Sequence, residues 1–321
     1  MRKFGWLLLV LIVALTGGAL FVAQDWGGRG PSPKALSFTV PEGASLATTA
    51  QRLEQAGAIR SAARFKLYAR LFGSSAPIKS GDYRLPRGLS AADVLKLLQG
   101  GRTIQRFVTI PEGWPAVLVH ERLKATPGLE GAVPVPVEGT VLPDSYSFQR
   151  GDTRASVLDR MQRAMAAYLA VAWERRKPGI AVSTPREALI LASIVEKETG
   201  KPSERRLVAA VYSNRLKRGM PLQADPTIIY PVTKGKPLGR KILRSERDAR
   251  NGYNTYTMAG LPVGPICNPG RASIDAVLDP AESSAVYFVA DGSGGHVFAD
   301  TLDQHNRNVL KWRAFRAAHG I

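Results

Sequence analysis

Thr184-Pro185-Arg186-Glu187-Ala188-Leu189-Ile190-Leu191-Ala192-Ser193-Ile194-Val195-Glu196-Lys197-Glu198-Thr199-Gly200 reads as one apolar helix that ends in two carboxylates. Thr184 followed three positions later by Glu187 is a capping box, and Pro185 suits the first helical position. Gly200 is expected to supply a left-handed stop. Apolar residues cover most of the circumference, as in a helix surrounded by protein. At ~100° per residue, Glu196 and Glu198 point ~200° apart and cannot face one another as an acid and base pair. One of them at most serves a site. Glu196 follows Ala192 and Ser193 on its face, small residues that leave room beside a carboxylate, whereas Glu198 follows Ile194 and Val195. Glu196 is therefore the expected general acid, its pKa raised by partial desolvation at the end of an apolar helix. The competing reading makes both glutamates solvated last-turn residues.

The chain has 321 residues, enough for two or three domains with a real core. Its formal charge of +18 implies an anionic partner: nucleic acid, lipid headgroups or an acidic polymer. One cysteine, Cys267, excludes an intrachain disulfide and any thiolate metal cluster. His120, His296, His305 and His319 have no metal-ligand spacing. No metal and no cofactor are expected.

The N-terminus chooses among the anions. Met1-Arg2-Lys3 precedes uncharged sequence from Phe4 to Ala23, close to the ~20 residues that span a bilayer, with Trp6 near one interface. The basic residues should stay cytoplasmic, so the rest of the chain lies outside the inner membrane and DNA becomes a poor candidate partner. A cleaved signal peptide with Gly17-Gly18-Ala19 as cleavage site is the alternative, and it too exports the protein.

Gln24 to Lys34 is rich in Gly, Pro and Ser and reads as a linker. From Leu36 an apolar residue plus Pro-x-Gly recurs three times, at Val40-Pro41-Glu42-Gly43, Leu85-Pro86-Arg87-Gly88 and Ile110-Pro111-Glu112-Gly113. Each should close a short strand (37–40, 82–85, 105–110) and open a helix started by Ser45, Ser90 or Pro115. Another helix, opened by Ser61, carries Phe65, Tyr68, Leu71 and Phe72 at helical spacing. The strand, helix, helix, strand order resembles a LysM peptidoglycan-binding module; a small α+β packing domain without a ligand is the alternative.

Beyond the Pro-rich stretch Gly131–Val137, the segment from Glu138 to Phe148 reads as a turn-rich loop with aromatics. A helix follows over 153–175, and another, opened by Ser203, over 204–217. Gly200 to Arg250 holds 13 Lys or Arg against 4 Asp or Glu, a basic rim suited to an anionic polymer. Gly252 to Gly270 is dense in Tyr, Asn, Gly and Pro and could present a sugar-binding cleft or a structural Ω-loop. A hairpin at 287–298 and an amphipathic helix from about His305 to Ala318 complete the chain. The expected fold class is α+β. Its parts are a cytoplasmic tail (1–3), a transmembrane helix (4–23), a linker (24–35), a LysM-like βααβ subdomain (36–104), a connecting strand-helix region (105–137) and a larger mixed α+β catalytic domain (138–321).

Several ordered motifs now coincide: Glu138-Gly139 with Pro143-Asp144, Ala192 to Glu198, Asn214-Arg215-Leu216, Leu222 to Thr227, Tyr253-Asn254-Thr255-Tyr256, Gly260-Leu261-Pro262, Asn268-Pro269-Gly270 and Tyr287 to Ala290. With them the chain resembles the endolytic murein transglycosylases, single-pass bacterial membrane proteins that cut nascent peptidoglycan glycan strands. The resemblance implies a lyase that breaks the MurNAc–GlcNAc bond and leaves 1,6-anhydro-MurNAc ends. It is read as placing the acid at the first glutamate of the Val-Glu-Lys-Glu run, again Glu196. Gln223, Asp225, Tyr253, Asn254, Tyr256 and Asn268 become candidate substrate-binding residues. Peptidoglycan is the partner implied, with penicillin-binding proteins and other wall synthases as candidate protein partners and no nucleic acid. Two other classes stay open. A muramidase needs Asp225 or Asp144 as a second carboxylate beside the acid, and a non-catalytic wall-binding scaffold would leave Glu196 exposed.

Overall fold

The computed structural model describes residues 2–101 and 103–320, the side chains of residues 2–5 and 8 excepted. Of the cytoplasmic tail expected at residues 1–3, Met1 lies outside the described residues, and Arg2 and Lys3 are described by their helical backbone alone. Two compact units divide the chain, Met1–Arg106 and Phe107–Ile321, and both mix helices with short strand pairs.

The first unit begins with α1 (Arg2–Gly27), whose Leu9–Gly27 stretch is long and apolar enough to cross a membrane and is not buried by protein. The helix runs past Ala23 into the expected linker because its last turn lands on the unit. Trp26 packs against Phe65 and Tyr68, and the Arg64 Nε donates to Asp25 at 2.8 Å. Gly30 N–H then donates to the Gly88 carbonyl and Gly88 N–H to that of Ser32, which clips the rest of the segment down.

Next come β1 (Leu36–Val40), α2 (Leu46–Gln55), α3 (Ala62–Phe72), β2 (Gly81–Leu85) and α4 (Ala91–Gly100). The strands pair antiparallel with Phe38 opposite Tyr83. Ser45, Ser61 and Ser90 cap the three helices, each hydroxyl accepting from the N–H three residues on. In the Pro-x-Gly turns Gly43, Gly88 and Gly113 have φ of 71°, 65° and 72°, a region where a Cβ is strained. Phe38, Leu53, Phe65, Tyr83, Leu85 and Leu98 form the core.

In the second unit β3 (Arg106–Thr109) pairs with β4 (Ser145–Phe148), a strand where the sequence suggested only loop. Between them lies α5 (Ala116–Ala125), and α6 (Arg154–Glu174) follows, capped by Thr153. Then come α7 (Pro185–Glu198), a 3-10 turn at Pro202–Glu204, and α8 (Arg205–Lys217). Ser203 therefore does not open α8; it lies inside the preceding turn. Next are α9 (Asp225–Thr233), α10 (Arg244–Arg247) and α11 (Arg271–Leu278). An antiparallel hairpin of β5 (Tyr287–Ala290) and β6 (His296–Ala299) precedes α12 (Leu302–His319). The final helix expected from the sequence is present; no residue of it is fully buried, and it leans on the hairpin through a half-buried stripe at His305, Val309, Trp312 and Phe315. Helix α7 is the hub: it contacts α6, α8, α9 and α11, and Ala188 to Val195 are buried without a break.

Candidate active site

The ends of α7 fix its carboxylates. Thr184 Oγ1 accepts from the Glu187 N–H at 3.1 Å, while Glu187 reaches back one residue further than a capping box requires, to the Ser183 N–H at 2.6 Å. At the other end the helix stops without the left-handed glycine. Thr199 is extended, its Oγ1 accepting from the Lys201 N–H, and Gly200 is not among the positive-φ residues described.

The two glutamates part as the ~200° between them requires. Glu198 points toward α8 and α9. Burial pushes its carboxyl up to about 7, the negative charge of Asp225 adds to the rise, and the Tyr212 hydroxyl and Arg215 offset part of it. Its Oε1 is buried without a hydrogen-bond partner among the described residues, a costly state for a carboxylate oxygen unless the group is protonated or meets a ligand.

The surroundings of Glu198 are built for order. Tyr212 lies in the core, edge-on to Phe288 at 5.8 Å. Arg215, 8% exposed, donates from Nε to the Val286 carbonyl (2.6 Å) and from Nη1 to the Leu222 carbonyl (2.9 Å) and Gln223 Oε1 (3.2 Å). It thereby holds the turn that presents Gln223, which has φ of 54° and a backbone N–H bound to the Thr255 carbonyl. Tyr256 donates to Asp225 Oδ1 at 2.6 Å, and both residues line a cavity of about 380 Å³ with Ile228, Leu243, Arg244 and Arg247.

Glu196 sits elsewhere. Its Oε2 accepts from the Gly270 N–H at 2.9 Å, its stem lies beside Gly113, and the next residue, Lys197, donates to the Gly113 carbonyl at 3.5 Å. The small residues before it make room for protein: Ser193 Oγ accepts from the Ile266 N–H at 3.0 Å, and Cys267 Sγ donates to the Ser193 carbonyl. Glu196 thus ties the 111–113 turn and the start of α11 to α7.

Among the sequence candidates, Gln223, Asp225 and Tyr256 gather on the Glu198 side. Asn254 is fully buried, its amide donating to the Arg247 and Ala249 carbonyls and its oxygen accepting from the Tyr256 N–H. Asn268 is equally buried, bridging the Val141 N–H and the Trp114 carbonyl. Asn254 is spent on backbone and shapes its loop, while the Asn268 amide also donates to Glu138 Oε1 at 3.4 Å. The Tyr253 ring meets that of Tyr230 at 4.8 Å, tilted by 45°. Tyr230 in turn donates to Glu138 Oε2 at 3.2 Å, and burial pushes Glu138 up to about 7. Glu138, Tyr230, Tyr212 and Arg215 were not singled out as site residues. The signal for the last two was present: a Tyr and an Arg three apart on one face of a helix otherwise facing the core. Among the described residues no group of three or more His, Cys, Asp or Glu side chains could hold a metal ion.

The model of the YceG-like family matches residues 38–311. The chain is 30% identical over 329 aligned positions to an endolytic murein transglycosylase of Streptococcus pneumoniae, covering 87% of this chain and 59% of that protein. It is 28% identical to the endolytic murein transglycosylase of Bacillus subtilis, covering 88% of this chain and 86% of the relative. The crystal structure of a YceG-like protein from Listeria monocytogenes superposes with a TM-score of 0.54 at 26% identity, covering 86% of this chain and 99% of that one.

Proposed function

The chain belongs to the YceG-like family, and from that premise we propose that it is an endolytic lytic transglycosylase of peptidoglycan in which Glu198, rather than Glu196, carries the proton. The observation that carries this assignment is the buried Glu198 carboxyl, pushed up to about 7 beside Asp225, Tyr212 and Arg215. Such a group holds a proton near neutrality and can release it.

Glu198 gives its proton to the glycosidic oxygen as the bond to the muramic acid anomeric carbon breaks. The C6 hydroxyl of the same sugar then bonds to that carbon, and its proton returns to the Glu198 carboxylate. No water is consumed. A tethered hydroxyl gains roughly 7 to 11 kcal/mol of barrier from proximity, so one carboxylate suffices. Gln223, held by Arg215, and the Tyr256–Asp225 pair supply polar support for the cation-like transition state. Arg244 and Arg247 at the cavity wall suit an anionic glycan.

One observation favours a second reading. Asp225 lies close enough to Glu198 to raise its pKa, and two neighbouring carboxylates are the equipment of a muramidase. The product separates the two. Glycan strands digested by the protein should end in 1,6-anhydro-muramic acid, one water lighter than a reducing end and resistant to borohydride. A digest dominated by reducible ends would replace the transglycosylase with the hydrolase.

The apolar α1 supports a single-pass anchor in the cell membrane with both units outside. Protease added to spheroplasts should then degrade both units, and their protection would overturn that topology. A LysM-like role for the first unit draws support from its β1-α2-α3-β2 order and from a cavity of about 560 Å³ between the loops after β1 and α3, lined by Leu46, Gly73, Ile78 and Gln99.

A further inference from the structure

The distal end of α3 leaves Leu67, Leu71 and Phe72 with 53%, 63% and 58% of their surface exposed. Apolar residues this exposed, adjacent on one helix end, ask for a covering surface. Their position against α1 names it. The Arg60 guanidinium donates to the Arg29 carbonyl at 2.7 Å, and Arg60 and Arg64 both pair with Asp25. One turn earlier on α1, Arg64 lies over the Phe21 ring at 5.7 Å. Trp26, near the end of the apolar stretch, lies against Tyr68, whose ring meets that of Phe72 at 6.1 Å, so the last turn of α3 stands at the level where α1 leaves the span. Phe21 itself is 57% exposed at that level.

The charge around this end is of one sign. Gly57 to Ser80 carries Arg60, Arg64, Lys66, Arg70 and Lys79 and no acidic residue. Basic side chains beside apolar ones at a bilayer surface keep their heads among anionic headgroups while their stems lie on hydrocarbon.

We propose that the C-terminal turn of α3, with Leu67, Leu71 and Phe72 buried in the interface and Lys66 and Arg70 among the headgroups, docks the first unit on the outer surface of the bilayer that α1 crosses. The docking rests on the reading of α1 as a membrane anchor. With α1 continuous through Gly27 and locked to α3 by Trp26 and Asp25, the unit then stands at a fixed height and tilt above the lipid.

The test uses the full chain in vesicles of equal parts phosphatidylglycerol and phosphatidylcholine, with a bimane label at an introduced cysteine and phospholipid brominated along its acyl chains as quencher. The native Cys267 is fully buried and its thiol is pushed well up, so labelling goes to the introduced site. Leu71→Cys and Phe72→Cys should be quenched about threefold more than Glu54→Cys, an exposed site on α2. A Val13→Cys label in the span reports anchoring by itself. If the Val13 label is quenched while those at 71 and 72 behave like that at 54, the docking proposal is wrong and the anchor stands. If the Val13 label is not quenched either, the anchor fails and takes the proposal with it.

Discussion

Glu196 and Glu198 have the same chemistry and lie two residues apart, and what distinguishes them is the protein on either side of α7. Because the folded pKa of Glu198, about 7, lies above the unfolded value near 4.5, the folded state binds its proton more tightly. Stability from this group is thus present at acid pH and lost as pH rises from about 4.5 to about 7. Glu198→Gln removes that loss, so urea unfolding should find the variant more stable than wild type by ~3 kcal/mol at pH 8 and nearly equal at pH 4.5; an equal difference at both would show a carboxyl with an ordinary pKa. On the proposed assignment the same proton sets the rate. Cleavage should fall as pH rises through about 7, and a Glu138→Gln variant should keep that limb, since Glu138 also titrates near 7 but sits with Tyr230 and the Ala116 N–H. Sequence periodicity told that the two glutamates diverge, but not which of them the fold would desolvate. Ser193 shows what sequence alone cannot see: its small size accommodates the Ile266–Cys267 backbone rather than a ligand, a contact between residues 73 apart in sequence.

At the scale of elements, local chemistry wrote most of the helix starts. Ser45, Ser61, Ser90 and Thr184 all cap where the sequence placed them. Thr184→Ala should cost about 1 kcal/mol in urea unfolding, the usual worth of such a cap; no change would mean that α7 is held by packing alone. Leu191, fully buried in the hub, should cost ~2–5 kcal/mol as Ala. What the sequence could not give depended on partners. The β4 strand, Ser145–Phe148, exists because β3 lies beside it: Ile110 N–H donates to the Asp144 carbonyl, and Thr109 and Ser145 hydroxyls meet at 2.8 Å. Helix α1 continues through Gln24–Gly27, against its linker-like composition, because Trp26 finds Phe65 and Tyr68.

At the scale of the whole molecule, one long apolar helix, a small βααβ unit and a larger unit built round α7 form a chain whose charge and composition suit a wall polymer outside the membrane. The chain spans 59% of the length of the pneumococcal relative and 86% of the Bacillus one, so its own catalytic act has to be measured on this chain. The order of motifs from Glu138 to Ala290 made the family legible, while the surroundings that separate Glu198 from Glu196 come from α8 and α9, which meet α7 only through the fold. The most direct measurement is glycan-strand cleavage by the full chain carrying Glu198→Gln or Glu196→Gln, followed by mass spectrometry of the released ends. Glu198→Gln should lower the yield of anhydro ends about 10²- to 10⁴-fold, the usual weight of a general acid, while Glu196→Gln, which can still accept the Gly270 N–H through its amide oxygen, keeps most of it. Loss of cleavage in the Glu196 variant with activity retained in the Glu198 variant would contradict the assignment.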